Sequence, residues 1–87
     1  MEKVMEKVTI FGRTSCGFCV GAIRLCEARG LEFKWVDMIE EDIAKADIAQ
    51  KIGKPVHTVP QIFVGEQHIG GYDEFATFVR QQETAEH

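Results

Sequence analysis

No apolar run in this chain approaches the ~18 residues a bilayer-spanning helix needs; the longest, such as Ile62-Phe63-Val64, have the length of a strand. A membrane partner is therefore not expected. The opening, Met1-Glu2-Lys3-Val4-Met5-Glu6-Lys7-Val8, has no apolar stretch of secretory type, so the expected location is cytoplasmic. Glu2-Lys3-Val4 recurs as Glu6-Lys7-Val8, too short a match for a structural repeat. Basic charge is also in short supply. Lys plus Arg number 10 against 14 Asp plus Glu, a net charge of −4. Proteins that grip phosphates need a basic face, so nucleic acid is not an expected partner. Cysteine is scarce and odd in number, with three residues. An odd set cannot all pair within one disulfide framework. In a reducing cytosol, close-set cysteines bind metal or do redox chemistry.

What is present suits one soluble domain over residues 1–87, with its core at about residues 7–82. Apolar residues make up 45% and charged residues 28%, with no disordered or collagenous bias. A chain this short buries only roughly 60–65% of its unfolded surface, so large internal cavities are not expected.

Residues 7–11 read as a strand of β-branched and aromatic residues, stopped by Gly12. Phe18, Ala22, Leu25, Cys26 and Arg29 fall at helical spacing, and Gly30 stands where a C-terminal cap glycine belongs. Residues 31–37 read as a second strand. A second helix is expected at about residues 41–51, with Glu40, Glu41 and Asp42 at its start, where the helix dipole favours acids. Gly53 and Pro55 end it. Residues 60–64 and 67–69 read as two strands joined by the Gly65-Glu66 turn. A last helix is expected at about residues 72–82, with residues 83–87 frayed. The order is β-α-β-α-β-β-α. A right-handed crossover makes the first two strands parallel, and the hairpin adds two antiparallel ones. The expectation is an α/β fold with one mixed four-stranded sheet flanked by helices.

Cys16-Gly17-Phe18-Cys19 lies between the first strand and the first helix, where a C-x-x-C suggests redox chemistry. The backbone N–H groups of a helix start are unpaired, and that end of the dipole is positive. A thiolate there is stabilised while a neutral thiol gains little, which lowers the thiol pKa. A low pKa also makes the sulfur a good leaving group, which exchange needs as much as attack. Cys16 precedes the helix and is the expected nucleophile. Cys19, in the first turn, is the expected resolving thiol. Zinc would require about four ligands, drawn from Cys26, His57 or His68, and none has paired finger or ribbon spacing. Cys26 lies seven residues past Cys19, about 10 Å along a helix, too far to bridge it. It reads as a buried packer. His57 and His68 read as surface or strand residues, and Trp35 as packing on the second strand.

Three segments now stand in order: residues 11–19 (Phe-Gly-Arg-Thr-Ser-Cys-Gly-Phe-Cys), residues 58–64 (Thr-Val-Pro-Gln-Ile-Phe-Val) and residues 68–72 (His-Ile-Gly-Gly-Tyr). Together they resemble the glutaredoxins, and most nearly the small bacterial dithiol members, over about residues 7–80. The resemblance implies a thioredoxin-like fold. It implies a glutathione-dependent thiol–disulfide oxidoreductase acting on protein disulfides and glutathione mixed disulfides, with ribonucleotide reductase as a candidate partner. Glutathione would be a co-substrate, with no tightly bound cofactor, and the chain would act as a monomer. By the same resemblance Arg13 lies near the thiolate and the glutathione carboxylate, and Phe18 takes the aromatic place of the motif. Thr58, Val59 and Pro60 face Cys16, with Pro60 cis and Val59 pairing its backbone with glutathione. Gly71, Tyr72, Asp73 and Glu74 hold the γ-glutamyl end. The middle pair departs from the usual Pro-Tyr. Cys-Gly-Phe also opens the motif of monothiol members that bind iron–sulfur clusters. The alternative is a dimer holding a [2Fe–2S] cluster through Cys16 of each chain and two glutathiones.

Overall fold

The computed structural model describes residues 7–85; the first Glu-Lys-Val triplet and residues 86–87 lie outside them. The elements are β1 (Val8–Gly12), α1 (Gly17–Ala28), β2 (Phe33–Asp37), α2 (Lys45–Ile52), β3 (Gln61–Val64), β4 (Gln67–Gly70) and α3 (Tyr72–Ala85). The sheet order is β2-β1-β3-β4. β1 runs parallel to β2 and antiparallel to β3, and β3 and β4 form the hairpin. The expected element order and mixed sheet are both present.

Strand alternation divides the interior into two layers. Val8, Ile10, Ile62 and Val64 point to one face and pack with Ala22 and Cys26 of α1 and Phe75 and Val79 of α3. Phe63 points to the other face and packs with Met38 and with Ile48 of α2, flanked by Phe11, Ile52 and Val59. The central strands are thus covered on both faces, which fixes the end of β1 and the start of α1 in space.

Helix α1 ends in a Schellman motif. Gly30 takes φ 68, its N–H bonds to Glu27 O at 3.2 Å, and Leu31 N–H bonds to Cys26 O at 2.9 Å. The apolar stripe of α1 is rotated from the expected one. Cys19, Ala22 and Cys26 are buried, whereas Phe18 is 64% exposed.

Helix α2 starts at Lys45, later than expected, and the acids at 40–42 do not open it. The Asp37 carboxylate accepts the N–H groups of Ile39 and Glu40 and turns the chain locally. Asp42 then takes φ 57, outside helical space. The acid in the first turn is Asp47, whose carboxylate accepts Ala44 N–H at 2.8 Å. At the other end of the chain α3 continues through Ala85, so residues 83–85 are helical and not frayed. The stretch Arg-Gln-Gln-Glu-Thr-Ala contains no glycine or proline to stop it.

Candidate active site

β1 ends at Gly12, and the chain turns so that Cys16 N–H bonds to Arg13 O at 3.1 Å. Cys16 is the N-cap of α1, with extended backbone (φ −90, ψ 120), and its Sγ accepts Cys19 N–H at 3.4 Å. The sulfur occupies the place where a serine or aspartate oxygen usually caps a helix. Burial pushes the Cys16 thiol up. Hydrogen bonds from the Cys19 thiol and from the Cys19 and Phe18 N–H groups outweigh burial and hold it below the ordinary value. Cys19 is fully buried in the first turn. Burial, its hydrogen bond to Cys16 and the Cys16 charge push it up to about 12, against a backbone hydrogen bond and the positive charge of Arg13. One helix turn therefore carries a thiol set up to ionise and a second one set up to stay protonated.

Three segments converge on this turn. The Cys16 thiol donates to Val59 O at 3.6 Å, and the Val59–Pro60 peptide is cis. Pro60 O lies next to Gly71: a Cβ built there would sit 3.7 Å from it. The Tyr72 ring stacks on Phe18, with centroids 6.0 Å apart and planes at 30°. It also lies over Gly21, whose built Cβ would meet Tyr72 Cε1 at 3.3 Å. The contacts thus run from Cys16 to Val59, from Pro60 to Gly71, and from Tyr72 back to Phe18. At the start of α3, Phe75 N–H bonds to Gly71 O, and the Glu74 carboxylate reaches back to Gly71 N–H at 3.0 Å. Asp73, beside it, is exposed.

Arg13 is exposed on the loop, and its charge bears on Cys19. Thr58 is exposed, and its carbonyl accepts Gln61 Nε2–H at 2.9 Å. Cys26 is fully buried within the layer formed by α1 and α3. Its thiol is pushed up to about 11 by burial and then by the Glu27 charge, as suits a packing residue. Among the described residues, no three or more His, Cys, Asp or Glu side chains gather as a metal site. From sequence Gly12 is legible only as a strand stop, Gly21 carries no signal, and Gln61 and His68 are legible only as strand residues. The first two are needed only because other elements close in on them. A signal for Gln61 was available, a lone amide beside an otherwise apolar strand.

The glutaredoxin family model matches residues 8–69. Glutaredoxin 1 of Escherichia coli is 49% identical over 80 residues, covering 86% of this chain and 94% of that protein. The chain belongs to the glutaredoxin family. It is accordingly a thiol–disulfide oxidoreductase with a thioredoxin-like fold. The solved structure of reduced Escherichia coli glutaredoxin superposes with a TM-score of 0.77 at 48% identity, covering 86% of this chain and 94% of that one. A buckwheat glutaredoxin–glutathione complex superposes with a TM-score of 0.75 at 29% identity, over 86% of this chain and 69% of that one. Among the described residues, no helix of this glutaredoxin is long and apolar enough to cross a membrane.

Proposed function

We propose that this glutaredoxin reduces glutathione mixed disulfides and protein disulfides through Cys16, with glutathione as the electron donor. The observation that carries the reading is the Cys16 Sγ–Val59 O contact at 3.6 Å. It sets a helix-capping sulfur against a backbone segment outside the sheet, where a peptide-like ligand would pair as an added strand does. The glutathione cysteine would lie along Val59. Its γ-glutamyl carboxylate would meet the N–H groups at the start of α3. Glu74 is already held on Gly71 N–H, so Asp73 is the acid available to the glutathione amine. Arg13, Thr58 and Pro60 would border the glycine side, with the stacked Phe18 and Tyr72 rings beside the ligand.

In the monothiol route the Cys16 thiolate attacks the glutathione sulfur of a mixed disulfide. The target leaves as a thiolate and takes a proton from water. A second glutathione, as thiolate, attacks the bound glutathione sulfur, forms glutathione disulfide and returns Cys16 as thiolate. In the dithiol route Cys16 attacks a protein disulfide. Once Cys16 is in a mixed disulfide it bears no charge, which removes two of the influences that raise the Cys19 pKa and leaves burial. Cys19 then loses its proton, attacks Cys16 Sγ and frees the protein thiolate. Two glutathiones reduce the resulting Cys16–Cys19 disulfide. Ribonucleotide reductase is a substrate suited to this route. One chain supplies every group these steps use, so a monomer suffices, and a reducing cytoplasm keeps the cycle running.

The test is glutathione-dependent reduction of a glutathionylated peptide, coupled through glutathione reductase to NADPH. Cys16→Ser should abolish activity, and Cys19→Ser should retain it. An inactive wild type, or an active Cys16→Ser, would overturn the reading.

The space at Gly17, where a built Cβ meets nothing within 4 Å, favours a second reading, the [2Fe–2S] dimer. One chain offers a single accessible thiolate, and a cluster needs about four. This chain therefore does not hold a cluster by itself. Anaerobic reconstitution with iron, sulfide and glutathione decides it: a coloured dimer supports the second reading, and a colourless monomer refutes it.

A further inference from the structure

Gln61 is 7% exposed and is the one buried polar side chain among the described residues. Its neighbours in β3, Ile62, Phe63 and Val64, are all buried. An amide in such a place is strongly destabilising unless both its ends are bonded. Here both are. Nε2 donates to Thr58 O at 2.9 Å, and Oε1 meets His68 Nε2 at 2.7 Å.

The chemistry sets the direction of the chain of bonds. A carbonyl oxygen only accepts, so the NH2 end of Gln61 faces Thr58 and its oxygen faces His68. That oxygen also only accepts, so His68 carries a proton on Nε2. The His68 ring leans on Phe63, with centroids 5.1 Å apart and planes at 56°, which fixes its plane. A relay thus runs from β4 through the interior to the residue before Val59. That residue lies outside the sheet, because β3 begins at Gln61.

We propose that Gln61 and His68 are positioning residues: together they hold the Thr58 carbonyl and so orient the Val59 backbone against which glutathione pairs. The proposal rests on the glutathione reading above. Neither side chain touches the reacting sulfurs. Their effect is on substrate binding and not on the chemical step.

The test combines kinetics with a readout that needs no glutathione. Gln61→Met keeps the length of the side chain and removes both bonds. It should raise KM for a glutathionylated peptide about tenfold, the scale of one hydrogen bond, with kcat held within about twofold. His68→Leu should do the same. His68→Gln, whose amide N–H replaces Nε2–H, should return KM to near the wild-type value. A purely structural role would lower the thermal midpoint without this split between KM and kcat and without rescue by glutamine. In parallel, ¹⁵N resonances should place the neutral His68 proton on Nε2, and the Thr58 carbonyl ¹³C resonance should move in Gln61→Met. An unchanged KM in Gln61→Met, or a His68 protonated on Nδ1, overturns the proposal. If the wild type does not use glutathione, the functional reading fails. The positioning role then fails with it, and the bonds from His68 through Gln61 to Thr58 stand as a structural link only if the Thr58 resonance moves and the His68 proton is on Nε2.

Discussion

Gly12→Ala places one methyl group where the fold has no room for it. Gly12 is buried at the end of β1, paired with Asp37, and its carbonyl accepts Met38 N–H at 2.9 Å. A Cβ there would overlap Cys19 Sγ and lie 3.2 Å from both Cys19 Cβ and Trp35 Cη2. The glycine does not sit at a positive φ, so the penalty is steric. Overpacking of this kind destabilises by about 1–3 kcal/mol. The reduced backbone freedom of alanine offsets roughly 0.5–1 kcal/mol of that. At the middle of both ranges the net loss is about 1 kcal/mol, which at roughly 4–8 °C per kcal/mol for a domain of this size lowers Tm by about 4–8 °C. Thermal melts of the reduced protein followed by circular dichroism measure it. Two further variants isolate the cause. Gly17→Ala, with nothing within 4 Å of its Cβ, should be neutral or stabilising by up to about 1 kcal/mol. Gly12→Ala combined with Cys19→Ala removes the overlapping sulfur and should be more stable than the sum of the single variants by about 1 kcal/mol. An unchanged Tm in Gly12→Ala, or strict additivity in the double variant, would refute the reasoning.

Three other outcomes follow from the same geometry. A thiol with pKa about 12 is ionised to roughly one part in 10⁵ at pH 7, so iodoacetamide should label Cys16 alone, as mass mapping would show. The labelling rate should fall as pH drops through the lowered Cys16 pKa; equal labelling of Cys19 would contradict this. Cys19 and Cys26 have folded pKa values of about 12 and about 11, raised from 9.0. Their contribution to stability is complete below pH 9 and is lost as pH rises through 11 and 12. The lowered Cys16 pKa acts in the opposite sense: its contribution is present above pH 9 and lost as pH falls through the folded value. Urea midpoints of the reduced protein should therefore decline above pH 9, and less steeply in Cys26→Ala. Finally, Glu74→Ala removes the bond to Gly71 N–H and should lower stability by about 0.5–1 kcal/mol. Asp73→Asn should leave stability unchanged and raise KM for glutathione substrates; the reverse pattern would exchange the two roles.

Where local chemistry decides, the sequence by itself was sufficient. β-Branched runs define the strands, Gly30 and Gly53 take the left-handed conformations that end α1 and α2, and Gly65 turns the hairpin. Cysteine at the residue before a helix makes its sulfur a cap, so the sulfur that receives a first-turn N–H group was legible from spacing alone. Local patterns misled where two local signals competed. The acids at 40–42 suit a helix start, but the Asp37 carboxylate captured the N–H groups first and delayed α2 to Lys45. Phe18 matches a helical apolar stripe, yet the rotation of α1 buries Cys19 and leaves Phe18 to stack on Tyr72.

Other features exist only once distant segments meet. Only the sheet order β2-β1-β3-β4 sets residue 59 opposite residue 16 and residue 71 beside residue 60. The need for glycine at 12 and 21 comes from Cys19 and Tyr72 approaching from other elements, which no local pattern encodes. Gln61 reads locally as a polar residue in a strand. Its burial, and the bonds that link His68 to Thr58 through it, depend on β3 lying inside the sheet and on the turn that brings β4 alongside. Propensity and capping act over a few residues and are written in the chain. Desolvation and contact act across the sheet and are settled by the packing.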